Sequence, residues 1–158
     1  MTIEQQMANT YTQLLIHVVF SVKFRHKLIK EHFREELEKY MCGIISNKKC
    51  KPLAIYCNPD HCHILIGLNP SVSISNLLQI VKSDSTEFIK RNKWTMGQFA
   101  WQSGYGAFAH SKEKMPLLIK YIRNQPEHHK AKSFRDEYMD LLHEAKISYD
   151  EKYLFDFF

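Results

Sequence analysis

The apolar and polar positions of the chain alternate between strand-like and helix-like spacing. Residues 11–23 read YTQLLIHVVFSVK, and their β-branched and aromatic side chains predict a first strand that lies centrally in a sheet. Residues 30–47 and 112–129 carry apolar side chains three and four positions apart, which predicts two amphipathic helices. Pro126 is expected to end or kink the second helix, because proline lacks a backbone donor and clashes with the preceding turn.

The other segments complete an α+β pattern. Residues 53–58 predict a second strand, and the turn NPD leads directly into a third, so these two strands should form an antiparallel pair. The remaining predicted elements are a helix that Ser73 or Ser75 caps and that ends near Arg91, an aromatic strand pair over residues 99–110 broken at Gly104, and a last helix over residues 133–146. This order indicates a ferredoxin-like or RRM-like antiparallel sheet flanked by helices, in a single domain over residues 1–158.

Two histidines stand at the start of the third strand, in the sequence PDHCHILIGL of residues 59–68. Alternate residues of a strand point to the same face, so His61 and His63 should project side by side while Cys62 turns to the other face. Two imidazoles on one face can supply two nitrogen ligands to a divalent metal and leave positions open for substrate oxygens. So short a motif also fits a polar strand edge.

The other histidines and cysteines in the strands have simpler interpretations. His17, inside the first strand, is expected to be a packed or hydrogen-bonded core residue. The four cysteines have no CxxC spacing and are expected to be reduced, small apolar side chains. A zinc site built from Cys57, His61, Cys62 and His63 is disfavoured, because Cys62 points away from both histidines in a regular strand.

Composition narrows the class of protein only a little. Of 158 residues, 44% are hydrophobic and 25% are charged, as in an ordinary soluble globular protein. No apolar run approaches the length needed to cross a bilayer, and residues 1–10 lack the features of a signal peptide. A cytoplasmic protein with no membrane association is expected. The net charge of +5 permits a polyanionic partner without requiring one.

Several basic side chains are candidates for contacts with nucleic acid. Residues 23–27 (KFRHK) form a basic loop with an aromatic residue, which can hold phosphates and stack a base, although a solvated turn explains it equally well. Exposed aromatic residues within 99–110 would also suit single-stranded nucleic acid. The candidates for backbone contacts are Lys23, Arg25, Lys27, Lys82 and Arg123.

In combination, these segments resemble a known family. The chain is similar to the single-tyrosine transposases of the HUH nuclease superfamily, of the insertion-sequence-200 type, which mobilise DNA as a single strand. The resemblance covers nearly the whole chain and is carried by HVVFSVKFR, NPDHCHILI, SISNLLQIVKS, FAWQSGYGAF, YIRNQPEHH and YDEKYLFD. This combination is far more specific than a His-x-His pair.

The resemblance implies a set of site residues. His61 and His63 match the metal ligands of the family's histidine-hydrophobic-histidine motif, in which Cys62 is smaller than the usual middle residue. Tyr121 matches the nucleophilic tyrosine, and Gln125, four residues on, matches the third metal ligand. The proline directly after Gln125 is a second departure from the family pattern. His128 and His129 extend the same helix and are expected at the surface.

The resemblance also implies the chemistry and the partners. The tyrosine would attack a scissile phosphate and remain attached as a 5′-phosphotyrosine, while Mg²⁺ or Mn²⁺ stabilises the transition state. No GxxxxGK[ST] phosphate loop occurs in the chain, in agreement with strand joining without ATP. The family recognises DNA hairpins near the ends of the mobile element. It works as a homodimer, and in several members the tyrosine helix of one subunit completes the metal site of the other.

Three other functions fit parts of the sequence. A non-catalytic single-stranded nucleic-acid-binding module would use the same sheet and basic loops and leave Tyr121 inert. A related nuclease of plasmid replication or conjugation is disfavoured by the small size of the chain and by the absence of a helicase region. A zinc-stabilised structural protein would unfold when its metal is removed.

Overall fold

A four-stranded antiparallel sheet organises the chain. The computed structural model describes residues 9–155. The strands are β1 (Leu15–Ser21), β2 (Lys51–Cys57), β3 (His61–Gly67) and β4 (Gly106–His110), in the spatial order β2-β3-β1-β4. The helices are α1 (Glu31–Asn47), α2 (Ile74–Arg91), α3 (Met115–Arg123), α4 (Gln125–Ala131) and α5 (Phe134–Glu144). The predicted central position of β1 and the predicted antiparallel pairing of β2 with β3 are both confirmed.

Helices cover both faces of the sheet, as the α+β prediction requires. Alternate residues of β1 and β3, among them Phe20 and Ile64, pack with α1 and α2 in the main apolar cluster. On the opposite face, Leu65 of β3 packs with Ile122 of α3. Val19 of β1 packs on the same face with apolar residues of α5. Alternate residues of the strands therefore point to two different faces of the sheet. One face packs in the apolar core with α1 and α2, and the three C-terminal helices lie on the other.

Two helix starts follow the predicted capping chemistry. Ser73 precedes α2, and its Oγ accepts a hydrogen bond of 3.1 Å from the Asn76 backbone N–H. Ser133 precedes α5 and accepts in the same way from the Asp136 backbone N–H, also at 3.1 Å. Each serine satisfies one of the backbone donors that a helix start leaves free. Of the two serines that the sequence offered for α2, Ser73 is the cap.

The predicted helix over residues 112–129 is two helices. Helix α3 ends at Arg123, Asn124 departs from helical geometry with φ −98° and ψ 19°, and α4 begins at Gln125. Pro126 lies in the first turn of α4, where a missing backbone donor breaks no helical hydrogen bond. The expected interruption near Pro126 is confirmed, and the break lies at Asn124, two residues before the proline. The break decides where Gln125 points relative to Tyr121.

The predicted strand pair over residues 99–110 was also wrong. Only Gly106–His110 forms a strand, and Trp101 makes a single antiparallel bridge with Val22. Phe99 and Trp101 are buried in the main apolar cluster, where Trp101 stacks edge-on against Phe20 at 4.8 Å between ring centroids. The aromatic residues of this segment therefore reflect packing in the core rather than a second sheet ladder.

Three smaller predictions concern the rest of the chain. Within residues 9–155, none of the helices is long and apolar enough to cross a membrane. The four cysteines are free, as expected for reduced side chains. The end of the described chain packs on α5, because Phe155 contacts Phe134 and Tyr138. The prediction that residues 1–10 lack the features of a signal peptide concerns mostly residues 1–8, which lie outside the described residues. The last residue of the segment YDEKYLFD also lies outside them.

Candidate active site

The two histidines of β3 lie side by side on the face that carries the C-terminal helices. His61 is 1% exposed, His63 is fully buried, and their ring centroids are 5.2 Å apart. Cys57 and Cys62 are buried in the main apolar cluster on the other face. The strand alternation predicted from the sequence is therefore confirmed, and a zinc site that combines these cysteines with the histidines is not formed.

Each of the two histidines is oriented by a second buried side chain. His61 Nδ1 lies 2.7 Å from Asp60 Oδ1, and Asp60 Oδ2 accepts a hydrogen bond from Arg25 Nε at 3.1 Å. Burial alone would raise the pKa of Asp60, but its hydrogen bond and ion pair with His61 and Arg25 lower it. His63 Nδ1 lies 2.8 Å from His17 Nε2, so His17 is the hydrogen-bonded core residue that was expected. Such partners fix which ring nitrogen of a histidine points into a site.

The break between α3 and α4 brings Tyr121 and Gln125 to the same place. Gln125 is fully buried, and its Oε1 accepts a 3.0 Å hydrogen bond from Asn58 Nδ2, which also lies 3.0 Å from His61 Nε2. The Tyr121 ring stands edge-on to the His63 ring at 5.7 Å between centroids. The sequence-predicted residues thus come together within one chain.

Two further residues of the site were missed by sequence reasoning. Glu137 of α5 is 2% exposed, and its Oε1 lies 2.9 Å from His63 Nε2. Its other carboxylate oxygen accepts hydrogen bonds from the Tyr121 hydroxyl and from Gln125 Nε2. His129 of α4, expected at the surface, is half-buried, and its Nε2 lies 2.9 Å from Gln125 Oε1. The expectation for His129 was wrong because α4 turns this side towards the sheet.

The electrostatics of the site favour an ionised Glu137 and a protonated Tyr121. Burial alone would raise the pKa of Glu137, but its interactions with His63, His129 and His61 outweigh burial and hold the pKa far below its usual range. Burial, together with the Glu137 charge and hydrogen bond, raises the pKa of Tyr121. Burial lowers the pKa of His63 to about 4, so its imidazole is neutral at pH 7. The phenol is therefore held as a hydrogen-bond donor.

The donor set fits a divalent cation. One ligand atom from each of His61, His63, His129 and Glu137 lies within 4.8 Å of the other three. Neutral imidazole nitrogens and carboxylate or amide oxygens are the ligands that divalent metals take in proteins. A cavity of about 260 Å³ adjoins this group and is lined in part by Tyr121 and Glu137. The phenol of Tyr121 thus lies between the ligand atoms and an accessible space.

The candidates for contacts with a DNA backbone differ in their surroundings. Lys23, Lys27 and Arg123 are exposed. Arg25 forms an ion pair with Asp60, which places the basic loop of residues 23–27 beside His61. Lys82 has an internal role, because its Nζ donates hydrogen bonds to the Gln102 and Gly104 carbonyls at 2.9 and 2.6 Å.

The aromatic candidates for base stacking are also divided. Phe24, in the basic loop, is 56% exposed and carries a left-handed φ of 58°. Trp101 and Phe108 are buried, whereas Tyr105 is 37% exposed. Of these four aromatic side chains, only Phe24 and Tyr105 are accessible to a base.

The chain is similar to known proteins over most of its length. The family described as "Transposase IS200 like" matches residues 10–125. The ISDra2 transposase TnpA of Deinococcus radiodurans is 23% identical over 120 residues, which cover 72% of this chain and 84% of that protein. The transposase for insertion sequence element IS200 of Salmonella typhimurium is 24% identical over 133 residues, which cover 80% of this chain and 86% of that protein.

A solved structure shares the fold. A REP-associated tyrosine transposase, solved bound to a REP hairpin, superposes with a TM-score of 0.58 at 15% sequence identity. The match covers 76% of this chain and 71% of that one. The family match contains His61, His63, Tyr121 and Gln125 but ends before His129 and Glu137.

Proposed function

The chain belongs to the family of IS200-like transposases, and from this membership we propose that it cleaves and rejoins single-stranded DNA through a 5′-phosphotyrosine at Tyr121. One observation carries the proposal: the Tyr121 hydroxyl meets the same Glu137 carboxylate that contacts both His63 and Gln125. The nucleophile and the candidate metal ligands therefore face one point in a single chain.

The reaction needs an oxygen nucleophile and a stable leaving group. The Tyr121 phenolic oxygen forms a bond to the scissile phosphorus, the bond from phosphorus to the 3′-oxygen breaks, and the phenol proton is balanced by the proton taken up by the leaving 3′-hydroxyl. Attack by another 3′-hydroxyl on the phosphotyrosine reverses the step and joins two strands. No ATP is required because the covalent link conserves the phosphodiester.

The neighbouring residues support this chemistry by orientation. His61, His63 and Gln125 would hold a divalent metal, Mg²⁺ or Mn²⁺, which when bound polarises the scissile phosphate and offsets its charge. Asp60 accepts from His61 Nδ1 and so directs the other nitrogen of that ring into the site. Tyr121 must leave the Glu137 carboxylate before its oxygen can reach phosphorus, because a phenol with a raised pKa is a poor nucleophile.

The proposed partner is single-stranded DNA with hairpins near the ends of a mobile element. A REP-associated tyrosine transposase of the same fold has been solved bound to a hairpin, and Lys23, Lys27 and Arg123 are exposed. Arg25 and Lys82 stay weaker candidates, because each already has a partner within the chain. The homodimer and the cytoplasmic location implied by the resemblance and the composition stay predictions.

A second function, a non-catalytic single-stranded nucleic-acid-binding module, is favoured by one observation. The Tyr121 hydroxyl donates to the Glu137 carboxylate, and burial together with this carboxylate raises the pKa of the phenol, as in a tyrosine that is never activated. The two functions make different predictions for a covalent adduct but the same prediction for DNA binding.

The test is a covalent-adduct assay with three proteins. The wild type, Tyr121→Phe and Tyr153→Phe are mixed with labelled single-stranded DNA that carries the ends of the element, with Mg²⁺ or Mn²⁺, and separated on a denaturing gel. Tyr153, whose side chain is 79% exposed, is the matched control. We expect a metal-dependent shifted band with the wild type and with Tyr153→Phe, and none with Tyr121→Phe. Hairpin binding by all three proteins without any adduct would instead support the binding module.

A further inference from the structure

The hydrogen-bond partners of two histidines fix where their free lone pairs point. His61 Nδ1 faces the Asp60 carboxylate at 2.7 Å, and His129 Nδ1 faces the Lys132 carbonyl at 2.9 Å. A carboxylate and a carbonyl only accept hydrogen bonds, so both histidines carry a proton on Nδ1. In the neutral rings Nε2 is then an acceptor. These two acceptor nitrogens, His61 Nε2 and His129 Nε2, face each other at 3.2 Å.

The other neighbours of His129 Nε2 are acceptors as well. Gln125 Nε2 donates to Glu137, which fixes the orientation of the amide and turns its Oε1 towards His129 at 2.9 Å. Glu137 Oε1 lies 3.3 Å from His129 Nε2 and 3.5 Å from His61 Nε2. Four electron-rich atoms therefore converge. Asn58 Nδ2 lies 3.0 Å from two of them, His61 Nε2 and Gln125 Oε1. Among the described residues, His129 Nε2 faces acceptors alone. Such an arrangement is repulsive unless a cation or a proton lies among them.

The separations match those of ligands that share one ion. Ligand atoms at about 2.1 Å from a divalent metal stand about 3.0 to 3.4 Å apart in octahedral or tetrahedral geometry. The contacts of His61, His129, Gln125 and Glu137 fall at 2.9 to 3.5 Å. His63 Nε2 lies at the edge of the same group, 2.9 Å from Glu137 Oε1.

We propose that His129 and Glu137 are ligands of the same metal ion as His61 and His63, so that α4 and α5 complete its coordination. This inference rests on the proposed function, which supplies the ion at His61 and His63. Both added residues follow residue 125, where the family match ends, so they lie in the C-terminal part of this chain, beyond that match.

The added ligands change which metal the site prefers. Two imidazoles and an amide form a neutral shell, whereas three imidazoles and a carboxylate form an anionic, nitrogen-rich one. Imidazole suits transition ions, and oxygen ligands with several waters suit Mg²⁺. The completed site should therefore bind Mn²⁺, Co²⁺ or Zn²⁺ more tightly than Mg²⁺. A proton on His129 Nε2 would satisfy the same acceptors and is the alternative to a metal.

Metal titration separates these possibilities. Chelator-stripped full-length protein is titrated with Mn²⁺ and with Co²⁺ in a calorimeter, and the visible spectrum of bound Co²⁺ is recorded. The variants are His129→Ala, Glu137→Gln and His61→Ala. The controls are His143→Ala and Glu127→Gln, which change exposed residues on α5 and α4. We expect each of the three site variants to lose at least tenfold in affinity and the control variants to bind like the wild type.

The outcomes distinguish this inference from the proposed function. A tenfold loss in His61→Ala without any loss in His129→Ala and Glu137→Gln would overturn the inference and leave the metal of the proposed function in place. If the wild type binds none of these ions, the metal in both proposals is wrong. A measurement without variants is X-ray absorption of the Co²⁺-loaded wild type. Three imidazole nitrogens around the ion support the inference, and two overturn it.

Discussion

Gly106 is the position at which β4 comes closest to α5. A Cβ atom on Gly106 would lie 2.7 Å from Tyr138 Oη, 2.9 Å from Tyr138 Cε1 and 3.0 Å from Phe108 Cε2. Carbon atoms in favourable contact are about 3.5 to 4.0 Å apart. Tyr138 is 5% exposed and packs against Phe134 and Phe155, so its ring has little room to move. Gly106→Ala should therefore displace α5 from the sheet.

The sign of the stability change decides whether this reasoning holds. Without a steric conflict, replacing a strand glycine by alanine raises the free energy of unfolding by about 0.5 to 1 kcal/mol, because the unfolded chain loses freedom. Overpacking a filled site costs about 1 to 3 kcal/mol. The expected net effect of Gly106→Ala is a decrease of about 1 to 2 kcal/mol in the free energy of unfolding.

A double-mutant cycle assigns the effect to the Tyr138 ring. Urea unfolding is measured for Gly106→Ala, Tyr138→Leu and the double variant, with Gly43→Ala as control. Gly43 lies in α1, and a Cβ atom added there would have no neighbour within 4 Å, so its substitution by alanine should be stabilising. In the Tyr138→Leu background, Gly106→Ala should no longer destabilise, which gives a coupling of at least about 1 kcal/mol. A Gly106→Ala protein as stable as Gly43→Ala would refute the close packing of α5 on β4.

Two further predictions concern Lys82 and His63. Lys82→Met leaves the Gln102 and Gly104 carbonyls without the ammonium donor. Amide hydrogen exchange around residues 102–104 should therefore accelerate, and the free energy of unfolding should fall by about 1 to 3 kcal/mol. The control Lys90→Met, at an exposed position on the same helix, should change neither quantity. Burial lowers the pKa of His63 to about 4, so between about pH 6.5 and pH 4 the unfolded chain binds the proton more tightly. As the pH is lowered, the free energy of unfolding of the metal-free protein should therefore fall by up to about 3 kcal/mol. Urea titrations at pH 7 and pH 4.5 with a chelator measure this change, and equal stability at the two pH values would contradict it.

The face on which His61 and His63 lie could be predicted from the sequence because strand alternation is a local rule. Cys62, between them, is buried on the opposite side of the sheet, as a period of two requires. Tyr121 and Gln125 were reached only through the family resemblance. Their spacing of four suggested one helix face, but a helix break at Asn124 separates them, and both meet only because Glu137 lies between α3, α4 and the sheet.

Glu137 and His129 were missed because their roles depend on how helices pack. A sequence signal for Glu137 did exist: it follows Phe134 by three residues and precedes Tyr138, so it lies along the apolar side of an amphipathic helix. A carboxylate at such a position needs buried partners. Which partners it finds depends on the placement of α5 over β3, and no local pattern specifies that placement.

The ligand atoms come from segments that are far apart in sequence, and this has a consequence for the unfolded chain. His61 and His63 belong to β3, whereas Glu137 belongs to α5. The unfolded chain separates these ligands by about 75 residues and would release the ion, so metal binding would stabilise only the folded arrangement of α5 on the sheet. This stabilisation would grow with the logarithm of the free metal concentration, and the docking of α5 would then depend on the supply of the ion.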